Sequence, residues 1–139
     1  MGVTVGDLQQ LFYLSKLIDR MKDQLEGLRE KLDLHSPTIS DMPKAPGSKD
    51  KIGDIVPEIV DKTKELEAEI QELEKRKQEL QDFIRQVPNI RLRLIMTYRY
   101  IDQMSWMDVA HRIGGKETEQ TVSQTVYRYL KEKNEQIVS

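Results

Sequence analysis

Residues Asn89–Lys133 read NIRLRLIMTYRYIDQMSWMDVAHRIGGKETEQTVSQTVYRYLKEK, and this stretch decides the fold. Its apolar residues recur every three or four positions, and the run breaks at Asp102-Gln103 and again at Gly114-Gly115. That pattern predicts three short helices, of which the second and third form a helix-turn-helix. The first is expected over Asn89–Ile101, burying Ile90, Leu94, Ile95, Tyr98 and Ile101 and turning Arg91, Arg93 and Arg99 elsewhere. Ser105 is placed to cap the second helix, with Asp108 three residues on as a capping-box acid. That helix, Trp106–Ile113, buries Trp106, Val109, Ala110 and Ile113. Ala110 supplies the small residue that a tight crossing of two helices needs.

Gly114-Gly115 ends the second helix, since glycine takes positive φ without steric cost. Thr118 is then the expected N-cap of a third helix reaching about Lys133. Its apolar face is Val122, Val126, Tyr129 and Leu130, and its polar face holds Glu119, Gln120, Ser123, Gln124, Tyr127, Arg128 and Lys131. The polar face suits a DNA major groove. Glutamine can bond both edges of adenine, arginine both acceptors of guanine, and hydroxyls serve base or phosphate. The first half of a recognition helix enters the groove, so Gln120, Ser123 and Gln124 are the candidates for base edges. Thr121, Tyr127, Arg128 and Lys131 are candidates for phosphates, joined by Arg112, Lys116 and Thr118 from the turn.

Upstream of this head, Leu11, Leu14, Ile18, Met21, Leu25, Leu28 and Leu32 step by three and four among charged residues, which predicts a helix over Val5–Asp33 with Asp7 as its N-cap. Leu34–Asp50 contains Pro37, Pro43, Pro46 and Gly47 and reads as a loop. A second long helix follows over Lys51–Gln86. Its seam is Val56, Ile59, Thr63, Leu66, Ile70, Leu73, Lys77, Leu80, Ile84 and Val87, broken only by Thr63 and Lys77. Pro57 implies either a start near Ile55 or a kink, and Val87-Pro88 ends the helix. The expected fold is therefore all-α: a long antiparallel helical hairpin, residues 1–88 with a proline-containing loop at 34–50, followed by a small helix-turn-helix domain, residues 89–139. The two seams either bury each other within one chain or pair with a second hairpin to make a homodimer through the coiled coil.

Composition narrows the function classes. The 139 residues are 33% charged and 37% hydrophobic with a mean hydropathy of -0.64, a balance suited to solvated helices with narrow apolar stripes. The chain has no cysteine and two histidines, His35 and His111, so thiol chemistry is absent and neither a metal centre nor a cofactor is expected. No histidine–carboxylate pairing or phosphate-cradling glycine loop occurs, so an enzyme is not expected. With neither a signal pattern nor a bilayer-length apolar run, cytoplasmic location is the default. Net charge is -2 overall, and the excess of bases lies in residues 89–139. Trp106, Tyr98, Tyr100, Tyr127 and Tyr129 sit at helical spacing and read as packing residues rather than platforms for single strands. The glutamate-rich run Glu65–Glu79 reads as the outer face of a coiled coil.

Tyr98-Arg99-Tyr100-Ile101, followed by Ser105-Trp106-Met107-Asp108-Val109-Ala110, resembles region four of bacterial sigma factors. The continuation Arg112-Ile113-Gly114-Gly115, then Thr118, Val122 and Tyr127-Arg128-Tyr129-Leu130, is similar to phage-encoded regulators of the RinA/ArpU type. The turn from Gly114 to Val122 is longer than the sigma-type turn, and the other sigma regions are missing. The resemblance implies a sequence-specific transcriptional regulator, acting in a bacterial host cell on double-stranded DNA, with a contact to RNA polymerase as a further expectation. The alternatives are a structural or adaptor helical protein and a small-terminase-like DNA-packaging subunit.

Overall fold

Apolar residues at Leu8, Leu11, Leu14, Ile18, Met21 and Leu25 are all buried, and the chain carrying them is one helix, α1 (Val5–Leu34). The computed structural model describes the backbone of residues 2–34 and 48–138 and the side chains of residues 2–33 and 57–135. The second helix, α2, spans Ser48–Arg85. After it come α3 (Ile90–Met96), a π-helical turn (Thr97–Ile101), α4 (Trp106–Ile113) and α5 (Glu119–Val138). The fold is all-α, as the spacing predicts. The prolines and glycine of the expected loop, Pro37, Pro43, Pro46 and Gly47, lie outside the described residues.

Two boundaries differ from expectation. The cap of α1 is Thr4, not Asp7: the Thr4 hydroxyl accepts from the Asp7 N–H at 3.1 Å and the Asp7 carboxylate accepts from the Thr4 N–H at 2.9 Å. Asp7 is thus the third helical residue of a capping box, where its charge also suits the positive end of the helix. In α2 the helix does not wait for Ile55, but starts at Ser48 and runs through Pro57. It closes near the expected place, with the Val87 N–H donating to the Ile84 carbonyl at 3.2 Å just before Pro88.

The chain divides into two compact units, Lys16–Glu74 on one hand and Met1–Ser15 with Lys75–Ser139 on the other. The start of α1 and the end of α2 thus group with the C-terminal elements. In the first unit, Ile18, Met21, Leu25 and Ile70 form a buried cluster with Leu66 and Leu73 packed on it. Each such side chain contributes about 1.5–3 kcal/mol when fully buried. The helices run antiparallel there: Lys22 pairs with Glu74 at 2.7 Å and Arg29 with Glu67 at 3.0 Å. The two seams thus bury each other within the chain. Thr63 sits in the seam at no polar cost, since its hydroxyl donates to the Ile59 carbonyl at 2.7 Å.

In the second unit a ladder of rings joins four elements. Phe12 of α1 stacks on Tyr100 at 5.8 Å between centroids, Tyr100 meets Trp106 edge-on at 6.2 Å, and Trp106 meets Tyr127 of α5 edge-on at 6.0 Å. Arg99 lies inside this ladder, 5.1 Å from the Phe12 centroid and 4.7 Å from that of Trp106, and its Nη1 donates to the Met104 carbonyl at 2.9 Å.

The buried face of α3 corrects the sequence reading. Leu92, Ile95, Met96 and Tyr100 are buried, whereas Ile90 is 78% exposed and Leu94 43% exposed; Tyr98 and Ile101 are half-buried. Both sets fit a helical period, and polar anchors choose between them. Asn89 caps α3 by accepting from the Leu92 N–H at 2.9 Å, and Arg93 donates through Nε to the Val87 carbonyl at 2.9 Å. The π turn then adds a residue to the helical path, with the Asp102 N–H donating to the Thr97 carbonyl at 2.9 Å.

Candidate nucleic-acid interface

The segment α4–turn–α5 is built by local rules that the sequence states openly. Ser105 caps α4 by accepting from the Asp108 N–H at 3.1 Å. Val109 and Ala110 are buried, while Trp106 and Ile113 are half-buried. Gly114 and Gly115 both have positive φ, +83° and +69°, so the turn leaves α4 through two residues in a region that side chains disfavour. Thr118 then caps α5: its hydroxyl accepts from the Thr121 N–H at 3.2 Å, and the Thr121 hydroxyl accepts from the Thr118 N–H at 2.9 Å. Val122, Val126 and Leu130 bury the inner face of α5, which packs against α3 and α4.

The candidate DNA-contacting residues fall into four groups. Gln120, Gln124, Arg128 and Lys131 are exposed along α5 at steps of four, four and three, which places them on one face. They extend over about 16 Å of helix. Arg112 at the end of α4 and Lys116 in the turn are exposed too. Arg112, Lys116, Arg128 and Lys131 form no ion pair among the described residues. Tyr127 is 42% exposed but rests edge-on against Trp106, so its ring is held while its rim stays open.

The remaining three candidates are spent, in whole or part, on the fold. Ser123 is half-buried and donates to the Gln120 carbonyl at 3.2 Å. Thr118 and Thr121 are exposed but cap the helix, and the Thr121 hydroxyl also donates to Glu117 at 2.7 Å. The Glu117 carboxylate accepts from Arg91 as well. The Thr121 hydroxyl, and then Arg91, hold that carboxyl below the usual carboxylate range. Glu117 and Glu119 set negative charge beside the positive start of α5, which makes that helix end a poor phosphate site. The chemistry on offer is therefore two amides on the α5 flank whose groups match base edges, and four cations, two on that flank and two at the turn, whose charge suits phosphates.

Sequence reasoning missed the fate of the three arginines near α3. Arg91 is tied to Glu117, Arg93 to the end of α2, and Arg99 lies within the aromatic ladder. No sequence signal reports the first, which joins residues 26 positions apart. The Tyr-Arg-Tyr string was a usable cue for the last, since an arginine between aromatics at helical spacing can lie against a ring. No group of three or more metal-ligating side chains occurs among the described residues, and no helix there is long and apolar enough to cross a membrane.

Compared with known proteins, residues 33–137 match a family described as protein of unknown function, DUF1492. No curated protein and no solved structure matches the chain.

Proposed function

This chain belongs to the DUF1492 family, a description that assigns no activity, and we propose that it is a sequence-specific DNA-binding transcriptional regulator of the phage-encoded, sigma-region-four-like kind. One observation carries the reading: Gln120, Gln124, Arg128 and Lys131 form an exposed line on a helix anchored from behind by Val122, Val126 and Leu130. A helix held that way presents amides and cations with the periodicity of a groove-facing surface. Gln120 and Gln124 read bases, while Arg128, Lys131, Arg112 and Lys116 hold the backbone. Binding, not catalysis, is the activity.

The experiment is fluorescence anisotropy against a panel of duplexes, with two variants. Gln124→Ala should compress the affinity difference between preferred and random duplexes, by about 1–3 kcal/mol if its bidentate contact is lost. Arg128→Ala should weaken all duplexes alike. Equal effects of both variants on every duplex would defeat the assignment of roles.

A second reading, a protein-docking adaptor, is favoured by Ile90 and Leu94, four residues apart and exposed on α3. It predicts a partner that stays bound after nuclease treatment and is lost in Leu94→Glu.

A further inference from the structure

Among the described residues from Asn89 onward, one ion pair forms, between Arg91 of α3 and Glu117 in the turn before α5. Glu117 uses both carboxylate oxygens. One accepts from the Arg91 guanidinium and the other from the Thr121 hydroxyl, at 2.7 Å. A guanidinium and a hydroxyl are the donors that proteins offer to a DNA phosphate. The carboxylate therefore sits on a set of partners that suits two phosphate oxygens.

The fold has little need of this pair. The side chains of Arg91 and Glu117 are 47% and 26% exposed, and so open an ion pair contributes little to stability. α3 has its own cap in Asn89, and α5 has its own in Thr118. The Thr121 hydroxyl has a second acceptor in the Thr118 carbonyl at 3.0 Å, so loss of Glu117 does not strand it. The position of the pair is more informative. Glu117 directly follows Lys116 and precedes Thr118, so its carboxylate holds the Arg91 guanidinium at the turn, next to candidate DNA-contacting residues. Arg112, Lys116, Arg128 and Lys131 form no ion pair among the described residues. A free Arg91 would join them as a fifth cation.

We propose that Glu117 withholds Arg91 from the DNA backbone, standing in for a phosphate, and so limits how tightly the chain holds any duplex. This inference rests on the DNA-binding reading and adds to it a residue that acts against binding. Phosphates are alike in every sequence, so freeing Arg91 strengthens the hold on random duplexes as much as on the preferred one. The base contacts of Gln120 and Gln124 are untouched, and the affinity difference between the two duplexes stays the same.

The test is the salt dependence of duplex binding by fluorescence anisotropy, with the full chain and its variants. Glu117→Ala should bind preferred and random duplexes alike about tenfold more tightly at roughly 0.1 M salt, with a slope of log K against log salt steeper by about 0.9. Arg91→Ala alone should keep the wild-type slope, and adding it to Glu117→Ala should bring the steeper slope back to that value. Glu119, exposed in the first turn of α5, has no ion pair among the described residues. Glu119→Ala thus removes the same charge, frees no cation and should keep the wild-type slope. Glu117→Gln retains an acceptor for Thr121 and should follow the alanine variant in direction, with an unchanged circular dichroism spectrum. A wild type with no salt-sensitive binding overturns the DNA reading and this inference together. With wild-type binding intact, three results overturn the inference alone: an unchanged slope in Glu117→Ala, a steeper slope that survives in the double variant, or a slope already lowered by Arg91→Ala.

Discussion

Arg99→Ala should cost this protein about 3 kcal/mol, a large effect for an arginine next to a helix-turn-helix. The guanidinium lies against the rings of Phe12 and Trp106, at 5.1 and 4.7 Å, and each contact contributes about 1 kcal/mol when partly desolvated. The Nη1 hydrogen bond to the Met104 carbonyl, at 2.9 Å, adds about 1.5–3 kcal/mol as a charged donor. Against this, Nε is buried with no acceptor, which costs about 1–3 kcal/mol. The charged group therefore contributes only about 2 kcal/mol net, and truncation adds a void between two rings worth roughly another 1–2 kcal/mol. Arg99→Met keeps the volume, and its sulfur against the two rings recovers about 1 kcal/mol of the roughly 2 kcal/mol lost with the charged group, so it should cost only about 1 kcal/mol. Urea unfolding followed by the fluorescence of Trp106, the single tryptophan, reads both values directly. The expected fall in melting temperature for Arg99→Ala is roughly 10 °C. An alanine variant within about 0.5 kcal/mol of wild type, the range of an ordinary surface site, would refute the interior placement of Arg99. So would a methionine variant as damaged as the alanine one, because only alanine leaves the void between the two rings.

Two further outcomes follow from the same unit. Burial, and then the neighbouring Tyr127, push the Tyr100 hydroxyl up to about 12, whereas an unfolded chain ionises near 10. The folded state thus holds this proton more tightly, so the associated stability is complete below about pH 10 and is lost as pH rises towards 12. Wild type should lose up to about 3 kcal/mol relative to Tyr100→Phe over that window, and parallel alkaline unfolding curves for the two proteins would contradict it. Thr118→Ala removes the cap of α5 and should cost about 1 kcal/mol. It should also speed amide exchange in the first turn of α5, around Gln120, and leave exchange in α2 unchanged.

Much of this architecture was legible because short-range chemistry wrote it. Ser105, Thr118 and the glycine pair mark the ends of α4 and α5 by hydrogen bonds and backbone preference that act within four residues. The seams of α1 and α2 follow from period alone. Period failed at α3, where nearly every second residue from Ile90 to Ile101 is apolar and two buried faces fit equally well. Contacts from outside the helix chose between them: Arg93 on Val87, and Tyr100 between Phe12 and Trp106. Asp7 was misplaced by one role, since Thr4 and Asp7 both suit a helix start and only their spacing relative to Val5 decides which caps. The candidate interface was legible as a face but not as an inventory of available groups, because Thr121 and Ser123 spend their hydroxyls within the chain.

The proposal that α5 meets a duplex rests on four cations that form no ion pair among the described residues, Arg112, Lys116, Arg128 and Lys131. The most direct measurement is the salt dependence of DNA affinity. Four phosphate contacts per chain give a slope of log K against log salt of about -3.6 and an affinity loss of about 150-fold between roughly 50 and 200 mM salt. Replacing Arg128 by alanine should make that slope shallower by about 0.9. A slope near zero, or one unchanged by the loss of Arg128, would mean that this surface does not hold a nucleic-acid backbone.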